Sequence, residues 1–201
     1  ASANGVVNMT VTSGSSGSQL IAFETFESGA AGWSDATTTV GGTSLTSFLG
    51  RFDGLPGGLE TEKTYALPTS ALGATLEFDF YEIDSWDGDQ GDALKLYVND
   101  MLIFSEQFYH HLRAGTDGGD PARSGITGGV TWSITPITSG ATDLGFGSEW
   151  YNTDQIHHVV VSIDEPGTSL RIGFGAQLNN GLIDESYGID NLRLTADLLT
   201  V

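Results

Sequence analysis

Short segments in which apolar and polar residues alternate recur along this chain, each bounded by Gly, Pro, Asn or Asp. Alternation with period two is typical of strands with one buried face, and no stretch of ten residues shows helical periodicity. Many short strands between turns predict an all-β antiparallel sandwich of the jelly-roll, concanavalin-like type. The segments are "ATLEFDFYEI" (74–83), "ALKLYVN" (93–99), "HHVVVSID" (157–164), "SLRIGFGAQL" (169–178) and "YGIDNLRLTA" (187–196).

The 201 residues suit one domain of this class. Residues 1–20 are small and polar, which predicts a linker or a first strand. Residues 21–201 are expected to form the sandwich, as one monomeric module of a longer chain. Residues 109–150 are rich in Gly, Ser and Thr and predict a long loop insertion at one end of the sandwich, where function often lies.

Acidity is the strongest compositional feature, with 26 Asp and Glu against 7 Lys and Arg and a formal net charge of −19. Such a surface repels nucleic acid and anionic membranes, and bound cations stabilise its compact state. A hydrophobic content of 39% argues against disorder. The chain has no cysteine for disulfides, so an extracellular protein of this kind needs another staple, and calcium serves acidic chains. No apolar run approaches the ~20 residues of a membrane span.

The loop "DSWDGDQGD" places Asp84, Asp87, Asp89 and Asp92 within nine residues, with two glycines for tight curvature and no basic residue. Calcium binds six to eight oxygens from carboxylates, amides, backbone carbonyls and water. The loop is therefore predicted to hold calcium, although its glycine spacing is not that of an EF-hand. The alternative is a solvated acidic turn without metal.

A second acidic cluster, "NNGLIDESYGIDN" (179–191), supplies Asp184, Glu185, Asp190 and Asn191 as oxygen donors. In sandwich binding modules an early Glu and a late Asp often share one calcium, because the first and last strands pair. Glu27 and Asp190 are the predicted pair here. The alternative for Asp190 is a plain turn residue before the last strand.

Two other site chemistries compete with calcium. The pairs His110–His111 and His157–His158 could supply one zinc ligand each. Residues 77–82, Glu-Phe-Asp-Phe-Tyr-Glu, match the Glu-x-Asp-x-x-Glu pattern of jelly-roll β-glucanases. Since strand neighbours alternate, Glu77 and Asp79 share a face and Glu82 lies on the other unless a bulge intervenes.

Several segments together resemble a domain of very large bacterial repeats-in-toxin adhesins: "AFETFESGAAGW", "FLGRFDG", "YEIDSWDGDQGD", "DQIHHVVVSID" and "DESYGIDN". The resemblance covers roughly residues 21–195. It implies a calcium-rich sandwich near the ligand-binding end of the adhesin, at the bacterial surface. It also implies, as in some members, capture of the free C-terminus of a partner protein by a calcium that meets the terminal carboxylate. The loop residues that it carries over are Asp84, Trp86, Asp87, Asp89, Asp184, Glu185, Asp190 and Asn191.

The sequence thus predicts a non-enzymatic, extracellular adhesion module that holds several calcium ions. It is expected to bind protein C-termini, or glycans, on a host or neighbouring cell. Alternatives are a calcium-dependent carbohydrate-binding module, a β-glucanase and a structural spacer. The predicted ligand-binding residues are Trp86, Tyr109, Trp150 and Tyr151. Trp132 is a further candidate in the insertion, where these aromatic residues can instead pack onto the sandwich. Arg51, Arg113 and Arg123 are rare cations here, expected to pair mainly with the abundant acids.

Overall fold

The computed structural model describes residues 16–42, 45–54, 58–110, 119–140, 142–147 and 154–199. Within these ranges the only helix is a single 3-10 turn, Gly88–Gln90. The strands are β1 (Ser16–Glu24), β2 (Thr38–Val40), β3 (Ser47–Phe52), β4 (Gly58–Ala66), β5 (Ala71–Asp84), β6 (Trp86–Asp87), β7 (Ala93–Val98), β8 (Met101–Gln107), β9 (Tyr109–His110), β10 (Arg123–Thr127), β11 (Val130–Pro136), β12 (Gln155–Asp164), β13 (Ser169–Gln177) and β14 (Glu185–Leu199).

In the described part of the chain the strands form two large antiparallel sheets and one small ribbon. The eight-stranded sheet has the order β10-β11-β12-β5-β14-β3-β2, and β1 also pairs with β14. The four-stranded sheet has the order β4-β13-β7-β8, and β6 pairs with β9 in a separate two-stranded ribbon. The predicted all-β sandwich is confirmed, while the jelly-roll connectivity stays a prediction. No helix in the described ranges is long and apolar enough to cross a membrane.

The alternating pattern of β5 decides which of its faces is buried. Leu76, Phe78 and Phe80 are fully buried, whereas Glu77 and Asp79 between them are only partly buried. Phe78 meets Phe174 of the opposite sheet edge-on, with ring centroids 4.9 Å apart. The core therefore lies between the sheets, and Glu77 and Asp79 of β5 lie on the outer face of the larger sheet.

The predicted loop insertion at 109–150 is only partly a loop. Its β10–β11 hairpin extends the larger sheet, because Val130–Pro136 pairs with Ile163–His157 of β12. Trp132 of that hairpin is buried against Phe104, with ring centroids 5.0 Å apart. Trp132 thus packs the hairpin onto the sandwich. This is the packing role that the sequence analysis gives as the alternative to ligand binding.

A second, smaller apolar cluster lies apart from the main core. Phe48, Tyr81, Ile83 and Leu144 form its buried part. Phe48 meets Tyr81 edge-on at 5.3 Å between ring centroids. Leu144 comes from the segment 142–147, so this cluster fastens that segment to strands β3 and β5 close to the acidic loops.

Candidate functional site

The first acidic loop, residues 84–92, folds back on itself between β5 and β7. Asp87 ends β6, the 3-10 turn follows, and Gly91 takes a left-handed conformation with φ 107°. Gly88 passes so close to the chain that a Cβ there would lie 2.5 Å from the carbonyl oxygen of Phe108. These two glycines return Asp92 towards Asp87, whose backbone N–H donates to the Asp92 carboxylate.

The two acidic segments of the sequence meet at Asp92 and Glu185. The backbone N–H of Asn179 lies 3.1 Å from Asp92 Oδ1 and 3.0 Å from Glu185 Oε2, so both carboxylates accept from one donor. Glu185 also accepts from the backbone N–H of Asn180 at 2.9 Å and from its Nδ2 at 3.1 Å. Asp92 is 1% exposed and Glu185 0% exposed. The fold therefore buries two adjacent carboxylates together.

The pKa of Asp92 is raised to about 7, chiefly by burial and also by the neighbouring carboxylates of Glu185 and Asp87. The N–H of Asp87 opposes this by favouring the charged form. A divalent cation would remove the conflict, since it would compensate both buried charges.

The described Lys and Arg side chains form ion pairs or hydrogen bonds with other residues and do not compensate the charges of Asp92 and Glu185. Their partners are Asp84 for Arg51, Glu24 for Lys63, Gln177 for Lys95, Asp120 and Glu106 for Arg123, Glu62 and Asp100 for Arg171, and Glu77 for Arg193. The expectation that Arg51 and Arg123 pair with acids is confirmed; Arg113 lies outside the described residues. Asp84 is thus the one predicted calcium ligand that forms an ion pair with a described Lys or Arg side chain.

Asp84 belongs to a second acidic group, at the end of β5. Its Oδ2 accepts from Arg51, whose Nε donates to the Ser186 hydroxyl. The pKa of Asp84 is raised to about 7, chiefly by burial and also by the negative charges of Asp154 and Asp184, against the lowering effect of Arg51.

Asp154, which the sequence analysis missed, links this group to the insertion. Its Oδ1 accepts the backbone N–H of Asp84 at 2.7 Å, and its Oδ2 accepts that of Leu144. Asp154 is fully buried, and burial raises its pKa to about 6. Its only sequence signal is its position immediately before strand β12. The half-buried Asp184 accepts from the Ser85 hydroxyl at 3.0 Å.

Asp190 belongs to a third polar group, and Glu27, its predicted partner, accepts from the backbone N–H of Ser47 at 3.1 Å. Asp190 accepts from the Tyr81 hydroxyl at 2.9 Å and from the N–H of Asn191 at 2.7 Å. The pKa of Asp190 is raised to about 6, chiefly by burial and also by the charges of Asp79 and Glu27. The expected pairing of the first and last strands, β1 and β14, is present. Glu27 and Asn191 are exposed, and Asn191 donates to Asp79 at 2.8 Å.

The predicted ligand-binding residues lie in different environments. Trp86 is fully buried, its indole N–H donates to the carbonyl of Ser186 at 3.0 Å, and its ring packs on Phe80 and Phe108. Tyr109 is 40% exposed and pairs with Asp87 across the small ribbon. Asp89 is exposed on the first acidic loop. Trp150 and Tyr151 lie outside the described residues.

The residues of the glucanase-like motif lie on both faces of β5. The register of β5 with β12 has no shift between Gly73 and Glu82. Glu77 pairs with Arg193 at 3.0 Å on the outer face. Glu82 is buried on the core side against His157 Nε2 at 2.9 Å, where burial lowers the histidine pKa to about 4.

Metal geometry is not preformed among the described residues. No set of three or more His, Asp or Glu side chains there surrounds one point closely enough to hold an ion. His157 and His158 point to opposite faces, towards Glu82 and Asp79 respectively. A calcium ion at Asp92 and Glu185 would therefore complete its shell with backbone, amide and water oxygens.

Comparisons of the chain with protein-family models, with curated proteins and with solved structures found no match. The resemblance to adhesin domains therefore stays a prediction, and the chemistry of the site carries the functional argument.

Proposed function

We propose that this protein is a calcium-dependent ligand-binding module that acts in adhesion and not in catalysis. The observation that carries the proposal is the meeting of Asp92 and Glu185, two fully buried carboxylates that share one N–H donor and have no described basic partner. Buried charges in proteins are normally paired or bound to metal. Carboxylate oxygens are the ligands that calcium prefers.

Calcium at this pair would supply the positive charge that the surrounding surface lacks. Asp92 and Glu185 would hold the ion, and the half-buried Asp87 lies beside them. Asp89 is exposed on the first acidic loop, and Tyr109 is exposed on the ribbon strand that pairs with Asp87, so a ligand held at this calcium would contact them. A calcium with an open coordination position attracts a carboxylate that a protein of charge −19 would otherwise repel.

The ligand class that fits this chemistry best is the free C-terminus of a protein on a host or neighbouring cell. Carboxylate capture by a metal needs no cluster of arginines, and the described arginines are engaged in ion pairs. The adhesin context, the bacterial cell surface and the place of this domain in a longer chain rest on the sequence resemblance. Calcium is abundant outside cells, which agrees with such a location.

A surface cleft favours a second candidate, a calcium-dependent carbohydrate-binding module. The cleft has a volume of about 490 Å³ and adjoins the acidic loop at Gly91. Its lining offers amide, hydroxyl and charged groups of the kind that hydrogen-bond sugar hydroxyls. The lining residues are Gly91, Ala93, Ser105, Glu106, Gln107, Arg123 and Gln177.

Peptide and glycan binding measured side by side separates these candidates. Peptides with a free or an amidated C-terminus, and a glycan panel, are titrated into the protein in calcium and in EDTA. The proposal expects binding to free C-termini only, in calcium only, and its loss in Glu185→Gln. The control Asp164→Asn removes one exposed carboxylate from the end of β12 and should bind like wild type.

The outcomes differ clearly between the candidates. Equal binding of free and amidated peptides refutes carboxylate capture. Calcium-dependent binding of glycans without peptides favours the carbohydrate module. Binding that is the same in EDTA refutes the role of calcium altogether.

A further inference from the structure

The connection between β13 and β14 contains an Asn–Gly pair, Asn180–Gly181, in which both residues are exposed. Asparagine is one of the chemically labile residues of proteins. It is most labile before glycine, because the next backbone nitrogen can then attack the side-chain amide without obstruction by a Cβ. The sequence has one other such pair, Asn4–Gly5, which lies outside the described residues.

The backbone nitrogen that would attack is free in this loop. In the described part of the chain, no acceptor lies within hydrogen-bond distance of the N–H of Gly181. The carbonyl of Gly181 is engaged instead, since it accepts from the N–H groups of Asp184 at 2.8 Å and of Glu185 at 3.2 Å. A Cβ placed on Gly181 would meet no atom within 4 Å, so the space around this residue is open.

The side chain of Asn180 is bound to the candidate site. Its Nδ2 donates to Glu185 Oε1 at 3.1 Å, and its backbone N–H donates to Glu185 Oε2 at 2.9 Å. Neither bond uses the side-chain carbonyl of Asn180 or the N–H of Gly181. The loop therefore holds this amide against a buried carboxylate and leaves the reacting groups accessible to water.

We propose that Asn180 is a site of spontaneous deamidation, which adds a negative charge to the candidate site. The nitrogen of Gly181 loses its proton and bonds to Cγ of Asn180, the bond between Cγ and Nδ2 breaks, and ammonia leaves with the proton. Water then opens the cyclic imide at either of its carbonyls and leaves aspartate or isoaspartate at position 180. The reaction consumes one water molecule and needs no enzyme, cofactor or oxidant.

The product would have a carboxylate where an N–H group now donates to Glu185. Because Glu185 is 0% exposed, its Oε1 would lose a donor and meet a like charge away from solvent. Isoaspartate would also lengthen the main chain before Gly181, whose carbonyl holds the N–H groups of Asp184 and Glu185. Deamidation is therefore expected to loosen the connection between β13 and β14 beside Asp92.

Peptide mapping by mass spectrometry of the whole folded protein, incubated at pH 8, tests the inference. Asn180 is expected to convert to both products, whereas Asn99 and Asn191, which no glycine follows, stay intact. Gly181→Ala should lose most of the conversion, because its methyl group obstructs the attack. It should melt like wild type, since the position is open and has no left-handed φ.

The variant Asn180→Asp measures the effect of the modification on the fold. It should melt about 2–12 °C below wild type in EDTA, the shift expected when a buried acceptor loses its donor. The control Asn99→Asp adds the same charge at the opposite end of β7 from Asp92 and keeps an acceptor for the N–H of Arg171. It should melt like wild type.

An Asn180 that stays intact in the folded protein, over an incubation in which the protein unfolded in urea converts, would overturn the inference. Equal conversion in Gly181→Ala would refute attack by the Gly181 nitrogen. An Asn180→Asp variant that melts like wild type would refute the effect on the candidate site. None of these measurements uses calcium, so they decide this inference separately from the proposed function.

Discussion

Removal of calcium is expected to lower the melting temperature of this protein by about 5–11 °C. The proposed site is the pair of buried carboxylates Asp92 and Glu185. An ion present at 100 times its dissociation constant stabilises the fold by about 2.7 kcal/mol at each site. For a domain of 201 residues, each 1 kcal/mol shifts the melting temperature by about 2–4 °C.

The effect depends on the fold because the ligands come from distant parts of the chain. Asp92 immediately precedes β7 and Glu185 begins β14, so the two residues meet only when both sheets are formed. The unfolded chain separates them and binds calcium weakly, so the binding free energy becomes folding free energy.

Thermal melts in calcium, in magnesium and in EDTA at equal ionic strength measure the shift. Magnesium is expected to raise the melting temperature much less than calcium does, because it requires a nearly octahedral shell and loses its bound water reluctantly. The melting temperature should continue to rise with the logarithm of calcium concentration. Identical melts in calcium and EDTA would show that the buried carboxylates are compensated in another way, and the argument from their burial would fail.

Three further predictions follow from the same contacts. Glu185→Gln should raise the melting temperature in EDTA at pH 8, because it removes the charge beside Asp92 and its amide oxygen can still accept from the backbone N–H groups. The variant should also show a smaller rise of the melting temperature when calcium is added. A lower melting temperature of the variant in EDTA would contradict this prediction. In EDTA, stability should fall as pH rises from about 4 to about 7, because the pKa values of Asp84 and Asp92 lie near 7 in the fold against an ordinary 3.8. The stability that these two protonated carboxyls contribute is fully present below their pKa in the unfolded chain and is lost as the pH rises through their pKa in the fold. A melting temperature that stays constant over this pH range would contradict the prediction. Trp86→Ala should cost about 3–5 kcal/mol in urea unfolding, since its side chain is fully buried, whereas Tyr109→Ala should cost about 0.5 kcal/mol or less and weaken ligand binding.

The first acidic loop, residues 84–92, shows which features of the candidate site the local sequence predicts. Four aspartates near two glycines identify an acidic turn that contains no basic residue, and both features are local. The structure then separates the four residues: Asp92 joins Glu185, Asp84 joins Arg51, and Asp89 stays exposed. The sequence contains no signal for these partners, because they lie far away along the chain.

The aromatic residues make the same point about burial. Trp86 lies inside an acidic loop, which suggested a surface residue, yet it is fully buried between Phe80 and Phe108. Trp132 lies in a stretch rich in small polar residues, yet it belongs to a hairpin that extends the sheet. Composition describes a segment on average, whereas burial depends on what packs against each side chain.

The sequence by itself determined the fold class and the faces of the strands. A period of two is a property of the extended backbone, so alternation at 74–83 was enough to place Leu76 and Phe78 in the core and Glu77 outside. Only the tertiary structure decided which acids meet. Asp92 and Glu185 share one N–H, and Asp154 reaches Asp84, because two sheets pack and bring separate loops to the same place. Contacts between residues so far apart depend on the packing of the whole domain, which no local pattern records.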